Sequence, residues 1–263
     1  MTSDPSDARE RNVKLVLEYD GTAYEGWQSQ ASGNTIQDAL VRAIQALTGE
    51  KATVYGAGRT DAGVHALGQV ANFRTRSRIA AERLALALNA HLPDDISVLS
   101  AEDVPAEFHA QFAAKGKTYR YRLLCRPTRP AMERHCVYWW RTPLDVDWQS
   151  QLAGRMREAA ACLVGEHDFR AFGSETANKE NTVRRVDRID IVSGPPYIEF
   201  HVRGNGFLYN MVRSIVGTLL LVGKGDLAPA EVARILESRD RRQAGPVAPA
   251  KGLTLVEVYY SLS

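Results

Sequence analysis

The sequence predicts an α+β protein built from two domains of similar size. Three observations predict it. The chain has 263 residues, long for one domain at roughly 100–200 residues each. Its 44% apolar and 24% charged content is that of a folded globular chain and excludes a disordered one. Each half offers strands and two or more helices in mixed order, which argues against a regular βαβ repeat. The expected division is a disordered tail at 1–11, an N-terminal domain at 12–108 and a C-terminal domain at 109–263.

The elements follow from periodicity and from turn chemistry. Asn12–Tyr19 sets Val13, Leu15, Leu17 and Tyr19 against Lys14 and Glu18, the alternation of a strand. Asp20–Asn34 is a loop rich in Gly and Ser. Thr35 is an N-cap residue for a helix with apolar face Ile36, Ala39, Leu40, Ala43, Ile44 and Leu47, and Gly49 ends it. Thr53–Ala57 and Gln69–Arg74 read as strands around a Gly-rich loop, Gly58–Gly68. A second helix runs over about Ala80–His91 until Pro93 stops it, and Ile96–Ser100 is a further strand.

In the second half Lys117–Leu124 alternates Tyr119, Tyr121 and Leu123 with Arg120 and Arg122, so one strand face carries rings and the other charge. Gln149–Val164 is a helix ending at Gly165. Arg184–Val192 and Tyr197–Val202 form a hairpin through Ser193-Gly194-Pro195-Pro196. Phe207–Val222 is an apolar helix, a short helix starts at Pro229, and Leu253–Tyr260 closes the chain as a strand.

Charge is uneven beneath a formal total of only +2. Residues 111–130 hold Lys115, Lys117, Arg120, Arg122, Arg126 and Arg129 and no acid; the remainder has 27 basic residues against 31 acidic. Such a segment is either a contact surface for a phosphate-rich partner or a solvated strand face. The longest uncharged stretches, Gly26–Gln37 and Ala62–Phe73, are 12 residues each. A membrane helix needs about 20 mostly apolar residues, so no membrane association is expected. The polar N-terminus has no apolar core of a signal peptide. Cys125, Cys136 and Cys162 form no CxxC pair and leave at least one thiol unpaired, as expected of a reducing cytoplasm without a structural zinc site.

The most informative stretch is Gly58-Arg59-Thr60-Asp61-Ala62-Gly63-Val64-His65-Ala66. A carboxylate stands among small residues that let a ligand approach the backbone, with an arginine two positions before it. Asp61 in that setting is a nucleophile, a general base, or a turn residue bonded to its own backbone. His65 is a base or a packed loop residue. No second histidine follows at the spacing of a metal site, so no metal is expected.

GRTDAGVHALGQV resembles the catalytic signature of the tRNA pseudouridine synthase A family. The resemblance extends to Tyr19-Asp20-Gly21-Thr22 with Gly26-Trp27-Gln28, to Leu88-Asn89 with Leu92-Pro93, and to Phe108-His109-Ala110. It continues through Tyr119-Arg120-Tyr121, Gly165-Glu166-His167-Asp168-Phe169, Met211-Val212-Arg213 with Val216-Gly217, and Lys251-Gly252-Leu253. The blocks keep the family's order and cover about residues 12–260. The resemblance implies two ferredoxin-like or RRM-like subdomains whose mostly antiparallel sheets join beside a basic active-site cleft. It also implies a cytoplasmic homodimer that acts on tRNA. The activity it implies is conversion of uridine to pseudouridine at positions 38, 39 and 40 of the anticodon stem-loop. That reaction breaks the glycosidic bond, turns the uracil and rejoins it through C5, with no cofactor. It requires the base outside the stack, where C5 and C1′ are accessible.

By the same resemblance Asp61 is the essential aspartate, as nucleophile or as the base that starts glycal formation. Arg59 fills the space left by the flipped base, Tyr119 is the active-site tyrosine, Arg213 pairs with the aspartate, and Leu253 packs on the base. The bland alternatives are an ion pair for Arg59 and a place in the core for Tyr119 and Leu253. An arginine within the apolar run Phe207–Val222 needs a partner on physical grounds as well. Lys115, Lys117, Arg120 and Arg122 would contact phosphates, which set affinity and register rather than sequence. Gln111 and Lys117 stand where the family often has arginine, and Ser29 where it often has a basic residue. Two other readings compete. One is a non-catalytic RNA-binding module stacking bases on Tyr119 and Tyr121. The other is a hydrolase using Asp20 and Asp61, although Asp20 has the look of a turn residue.

Overall fold

The computed structural model describes residues 9–142, 146–174 and 181–261. It divides into two compact units, Met1–Lys115 with Glu257–Ser263, and Gly116–Val256. Both are mixed α+β with mostly antiparallel strands. Residues 109–115 and the chain's end, assigned to the second half by the sequence, group with the first unit: the last strand carries the chain back, and no local signal announces a return of that kind.

The first unit contains β1 (Arg11–Tyr19), α1 (Ile36–Thr48), β2 (Val54–Gly56), β3 (His65–Thr75), α2 (Ala81–Asn89) and β4 (Ile96–Val104). Strand β1 is central, antiparallel to β4 on one side and to β3 on the other, and β2 pairs antiparallel with β3. The inward row Val13, Leu15, Leu17 and Tyr19 is almost fully buried. Arg11 opens β1, so the expected tail is shorter than 11 residues at its inner end; residues 1–8 of it lie outside the described residues. Helix α1 starts where Thr35 Oγ1 accepts from Asp38 N at 3.2 Å and donates to the Asp38 carboxylate at 2.6 Å. It ends at Gly49 in the left-handed conformation, φ 74°. Its stripe Ile36, Ala39, Leu40, Ala43 and Ile44 is buried, as are Leu84 and Leu88 of α2.

The second unit contains β5 (Gly116–Cys125), β6 (Tyr138–Trp140), α3 (Val146–Ala160), β7 (Gly165–Asp168), β8 (Val183–Gly194), β9 (Tyr197–Gly204), α4 (Met211–Lys224), α5 (Glu231–Ser238) and the first four residues of β10 (Leu253–Tyr259). Its strand order is β10-β5-β9-β8-β7, with β6 parallel to β5. The core face is the row Tyr121, Phe200 and Ile191 across β5, β9 and β8, and Ile215, Val216 and Leu219 of α4 are buried as well.

Several boundaries differ from the sequence reading; β4, for example, runs on to Val104, and α3 starts at Val146 and ends at Ala160. Strand β3 begins at His65, so the loop before it is four residues shorter: His65–Gly68 are strand residues despite their glycine. Helix α4 begins at Met211, because Asn210 takes φ 63° and interrupts the turn. Strands β6 and β7 are too short to show a period. No disulfide joins Cys125, Cys136 and Cys162 to one another. Among the described residues no helix is long and apolar enough to cross a membrane.

Candidate active site

In the first unit the loop between β2 and β3 is fixed by close backbone approach. A Cβ on Gly26, whose φ is 94°, would lie 2.6 Å from Thr60 O and 3.1 Å from the carbonyl carbon of Asp61. A Cβ on Gly21 would lie 2.0 Å from Val64 O. Trp27 N donates to Thr60 O at 3.0 Å. The Tyr19-Asp20-Gly21 and Gly26-Trp27 segments therefore clamp the Asp61 segment from its two ends. Between the clamps Val64 N donates to Asp61 O at 3.1 Å, with Gly63 at φ 75°. Asp61 thus opens a tight turn that needs glycine at its third position, and its side chain is half-buried.

A buried hydroxyl network stands behind the turn. Tyr19 Oη and Thr60 Oγ1 are 2.8 Å apart. Gln69, wholly buried, donates through Nε2 to Gly58 O at 2.9 Å and approaches Tyr19 Oη at 3.4 Å. Burial pushes the Tyr19 hydroxyl up to about 12, against the opposing hydrogen bonds of Thr60 and Gln69, so it stays neutral and acts as a strut. Asp20 accepts from Thr22 N at 2.9 Å and from Thr22 Oγ1 at 2.5 Å, the turn role its position suggested. His65 is 5% exposed; its Nδ1 accepts from Gly21 N at 3.2 Å and lies 3.1 Å from Asp20 Oδ1. His65 is therefore a packed residue, at the first position of β3 and not in the loop.

Arg59 is exposed, and its stem is aimed by a relay of amides. Arg59 Nε donates to Gln28 Oε1 at 3.1 Å, Gln28 Nε2 to Gln37 Oε1 at 2.9 Å, and Gln37 Nε2 to Val54 O at 2.8 Å. Sequence reasoning gave Gln37 no role. The signal available was its place on the first turn of α1, facing the loop that holds Gln28.

The second unit holds Tyr119, Arg213 and Leu253. Tyr119 is 7% exposed in β5 and meets Phe207 edge to face, centroids 5.3 Å apart. Arg213 is half-buried on α4. Its Nε donates to Ala248 O at 2.7 Å and its Nη1 to Asn210 Oδ1 at 2.8 Å, so the partners demanded by an arginine in an apolar helix include a backbone carbonyl and an amide. The segment bearing Ala248 is zipped to α4. Ala248 N donates to Arg213 O at 3.1 Å, and a Cβ on Gly217 would fall 1.7 Å from Pro246 O. Further along, Tyr121 Oη donates to Pro249 O at 2.8 Å, and Gly252 lies so close to the Tyr121 ring that a Cβ would sit 2.6 Å from it. Leu253 follows, 5% exposed.

The expected basic contacts divide. Lys115 is exposed in the first unit. In the second, Arg122 is held by Glu133 at 2.9 Å and Glu199 at 3.0 Å, with Tyr197 beneath its guanidinium. Its charge is answered inside the fold. Arg120 is half-buried on the same face as Arg122, opposite Tyr119. Lys117 is half-buried, and burial, reinforced by the charge of Arg184, pulls its ammonium below the usual lysine range.

Comparison with known proteins shows which family the chain resembles. The sequence matches the family described as tRNA pseudouridine synthase over residues 15–113 and 159–261, ranges that contain Arg59, Asp61, Arg213 and Leu253 but not Tyr119. It is 48% identical to tRNA pseudouridine synthase A of Acetivibrio thermocellus, over 95% of this chain and 100% of the relative. It is 47% identical to tRNA pseudouridine synthase A of Thermoanaerobacter sp., again over 95% and 100%. With tRNA pseudouridine synthase A of Geobacter sp. it shares 45% over 95% of this chain and 99% of the relative.

Proposed function

This chain belongs to the tRNA pseudouridine synthase family, and we propose that it isomerises uridines at positions 38, 39 and 40 of the tRNA anticodon stem-loop, with Asp61 as the essential carboxylate. The observation that carries this reading is the fixing of the Asp61 turn by Gly21 and Gly26. A turn residue serving only to reverse the chain does not need two glycines pressed against its backbone. A carboxylate that must meet C1′ or its hydrogen within a few tenths of an ångström does.

Asp61 acts as nucleophile at C1′ or as the base that starts glycal formation, after the target nucleotide has left the stack. Arg59, exposed and aimed by its amide relay, occupies the space the base vacates. Tyr119 carries the uracil on its ring, and Leu253 closes the pocket around it. Arg213 pairs with Asp61 and keeps it ionised and oriented. The chemistry calls for no cofactor, because no electron or group is exchanged with a second molecule. In this reading each unit is a ferredoxin-like subdomain, supported by strand order: β4-β1-β3 with β2 outermost in the first unit, β10-β5-β9-β8 in the second. In the same reading the enzyme works as a cytoplasmic homodimer.

The test is incubation with unmodified tRNA, without added metal or nucleotide, followed by pseudouridine mapping. Product at positions 38–40 is expected, and none with Asp61→Asn, whose turnover should fall on the order of 10⁴-fold or more while tRNA binding persists. Turnover within about 100-fold of the wild type in that variant overturns the assignment. Arg213→Leu should reduce turnover about 100-fold, the worth of one charged hydrogen bond of about 3 kcal/mol. Wild-type kinetics there would remove Arg213 from the mechanism.

A further inference from the structure

The pleat of β5 separates its cations. Arg120 and Arg122 alternate with Tyr119 and Tyr121 and stand on the other face, whereas Lys117 shares the face of the tyrosines. Register across the second unit places Lys117 opposite Gly204 of β9, and Gly204 opposite Val186 of β8. Arg184 precedes Val186 by two residues on β8 and so lies on that same face. The turn that follows β9 packs among these groups. Phe207 covers Gly204, where a Cβ would stand 3.2 Å from its ring, and Phe207 is also the ring edge-on to Tyr119. Gly206 lies along the Arg184 stem, a Cβ there being 3.8 Å from Cδ and Nε.

Among the described residues, this corner of the unit gathers two cations, and no acid's charge acts on either. Arg184 donates through Nη1 to the carbonyls of Val183, at 2.7 Å, and Asn181, at 3.1 Å. Among the described residues no carboxylate pairs with it, and Lys117 has no hydrogen-bond or ion-pair partner. The neighbouring arginines of β8 differ: Arg185 has Asp187 at 2.8 Å and Arg188 has Asp190 at 2.6 Å. Burial holds Arg184 below the usual arginine range, and burial together with Arg184 does the same to Lys117. Two partly desolvated like charges without a counter-ion oppose folding. An arriving anion would relieve both penalties at once.

We propose that Lys117 and Arg184 form a paired-cation site for one backbone phosphate of the RNA, next to the nucleotide whose base lies on Tyr119. Lys117 is two residues from Tyr119, about 7 Å along the strand, the scale on which a nucleotide's phosphate stands off from its base. The site reads no sequence; it sets the register that brings one nucleotide and not its neighbour over the ring. It rests on the reading of Tyr119 given above.

The experiment uses anticodon stem-loop RNAs in which one phosphate at a time, on either side of the target uridine, is replaced by a neutral methylphosphonate. Single-turnover rates and binding are measured for the wild type, Lys117→Met and Arg184→Gln. Each variant should bind RNA about tenfold more weakly, the cost of one charged hydrogen bond, with the salt dependence reduced by about one phosphate contact. One methylphosphonate position should cost the wild type a similar factor and cost the variants nothing further, because the shared interaction has already gone. Lys117→Arg should restore binding. Additive losses at every flanking position, or an unchanged salt slope in both variants, would overturn the site. A purely structural role would lower the melting temperature without any coupling to a particular phosphate. Binding measured in the Asp61→Asn background keeps the two readings separable: if that variant turns over within about 100-fold of the wild type, the catalytic assignment fails while the phosphate coupling stands or falls by itself.

Discussion

The two units share an order of elements and differ in where they keep their functional side chains. Each runs strand, helix, two strands, helix, strand among its principal elements, and each places its first strand between the last and the third. The first unit puts Arg59 and Asp61 in the loop between β2 and β3. The second puts Tyr119 within a strand, Arg213 within a helix and Leu253 at the start of a strand. A residue on a strand or helix inherits its direction from the ladder or the helical turn. A residue on a loop does not, so the first unit supplies that direction by pressing Gly21 and Gly26 against the loop's backbone and by a buried Tyr19–Thr60–Gln69 network. The second unit spends its close contact on the element behind the residues: Gly217 lets α4 and the 246–249 segment approach until carbonyl and helix touch.

That difference is open to test by adding one methyl group at a time. The largest effect should come from Gly217→Ala. Its Cβ would coincide with Pro246 O at 1.7 Å, and neither partner is a flexible side-chain end, so α4 and the segment must part. A loss on the order of 3 kcal/mol is expected, a fall in melting temperature of roughly 6–10 °C. Because Ala248, Pro249 and Leu253 hang from that segment, the variant should also raise KM for RNA. A melting temperature within about 2 °C of wild type would show that the segment is loosely held and would remove the contrast between the units.

The next effect, Gly26→Ala, should fall on kcat more than on stability. Alanine at φ 94° costs about 1–2 kcal/mol, and its methyl pushes on Thr60 O and Asp61. A displacement of the order of 1 Å at a catalytic group reduces the rate about 100-fold. Thermal melts and single-turnover rates separate the two consequences. A variant that loses stability but keeps its rate would mean that the Asp61 turn is positioned by Tyr19 and Gln69 alone.

How much of this the sequence disclosed follows from the range of the interactions involved. Thr35 and Gly49 announce the two ends of α1 because capping is local, satisfied within four residues. The alternation of β1 and β5 was legible for the same reason. The start of β3 at His65 was not, because Gly63 and Gly68 look alike in sequence while only Gly63 takes a positive φ. The partners of Arg213 were half legible: burial demanded hydrogen bonds, but Ala248 O lies 35 residues away in a segment without periodicity. Arg122 shows the limit from the other side. A basic, acid-free segment reads as a phosphate surface, yet Glu133 and Glu199, outside that segment, claim this residue. Lys117 has no acid paired with it among the described residues, and the charge that acts on it is that of another cation, Arg184.

The smallest prediction is the control for the other two. Gly154 lies inside α3, with nothing within 4 Å of where its Cβ would be. No turn, close contact or unusual φ requires glycine there, and the residue leaves the unfolded chain with more freedom to lose. Gly154→Ala should therefore stabilise the protein by about 0.5–1 kcal/mol, with kcat and KM for RNA unchanged. The sign is what matters: the same added methyl is expected to destabilise at Gly217 and Gly26 and to stabilise at Gly154, so the three variants share one chemical change and differ only in what the fold has placed beside it. A destabilised Gly154→Ala would mean that α3 is packed against something the described residues do not include. It would also weaken the inference that the losses at the other two glycines measure the distances given for them.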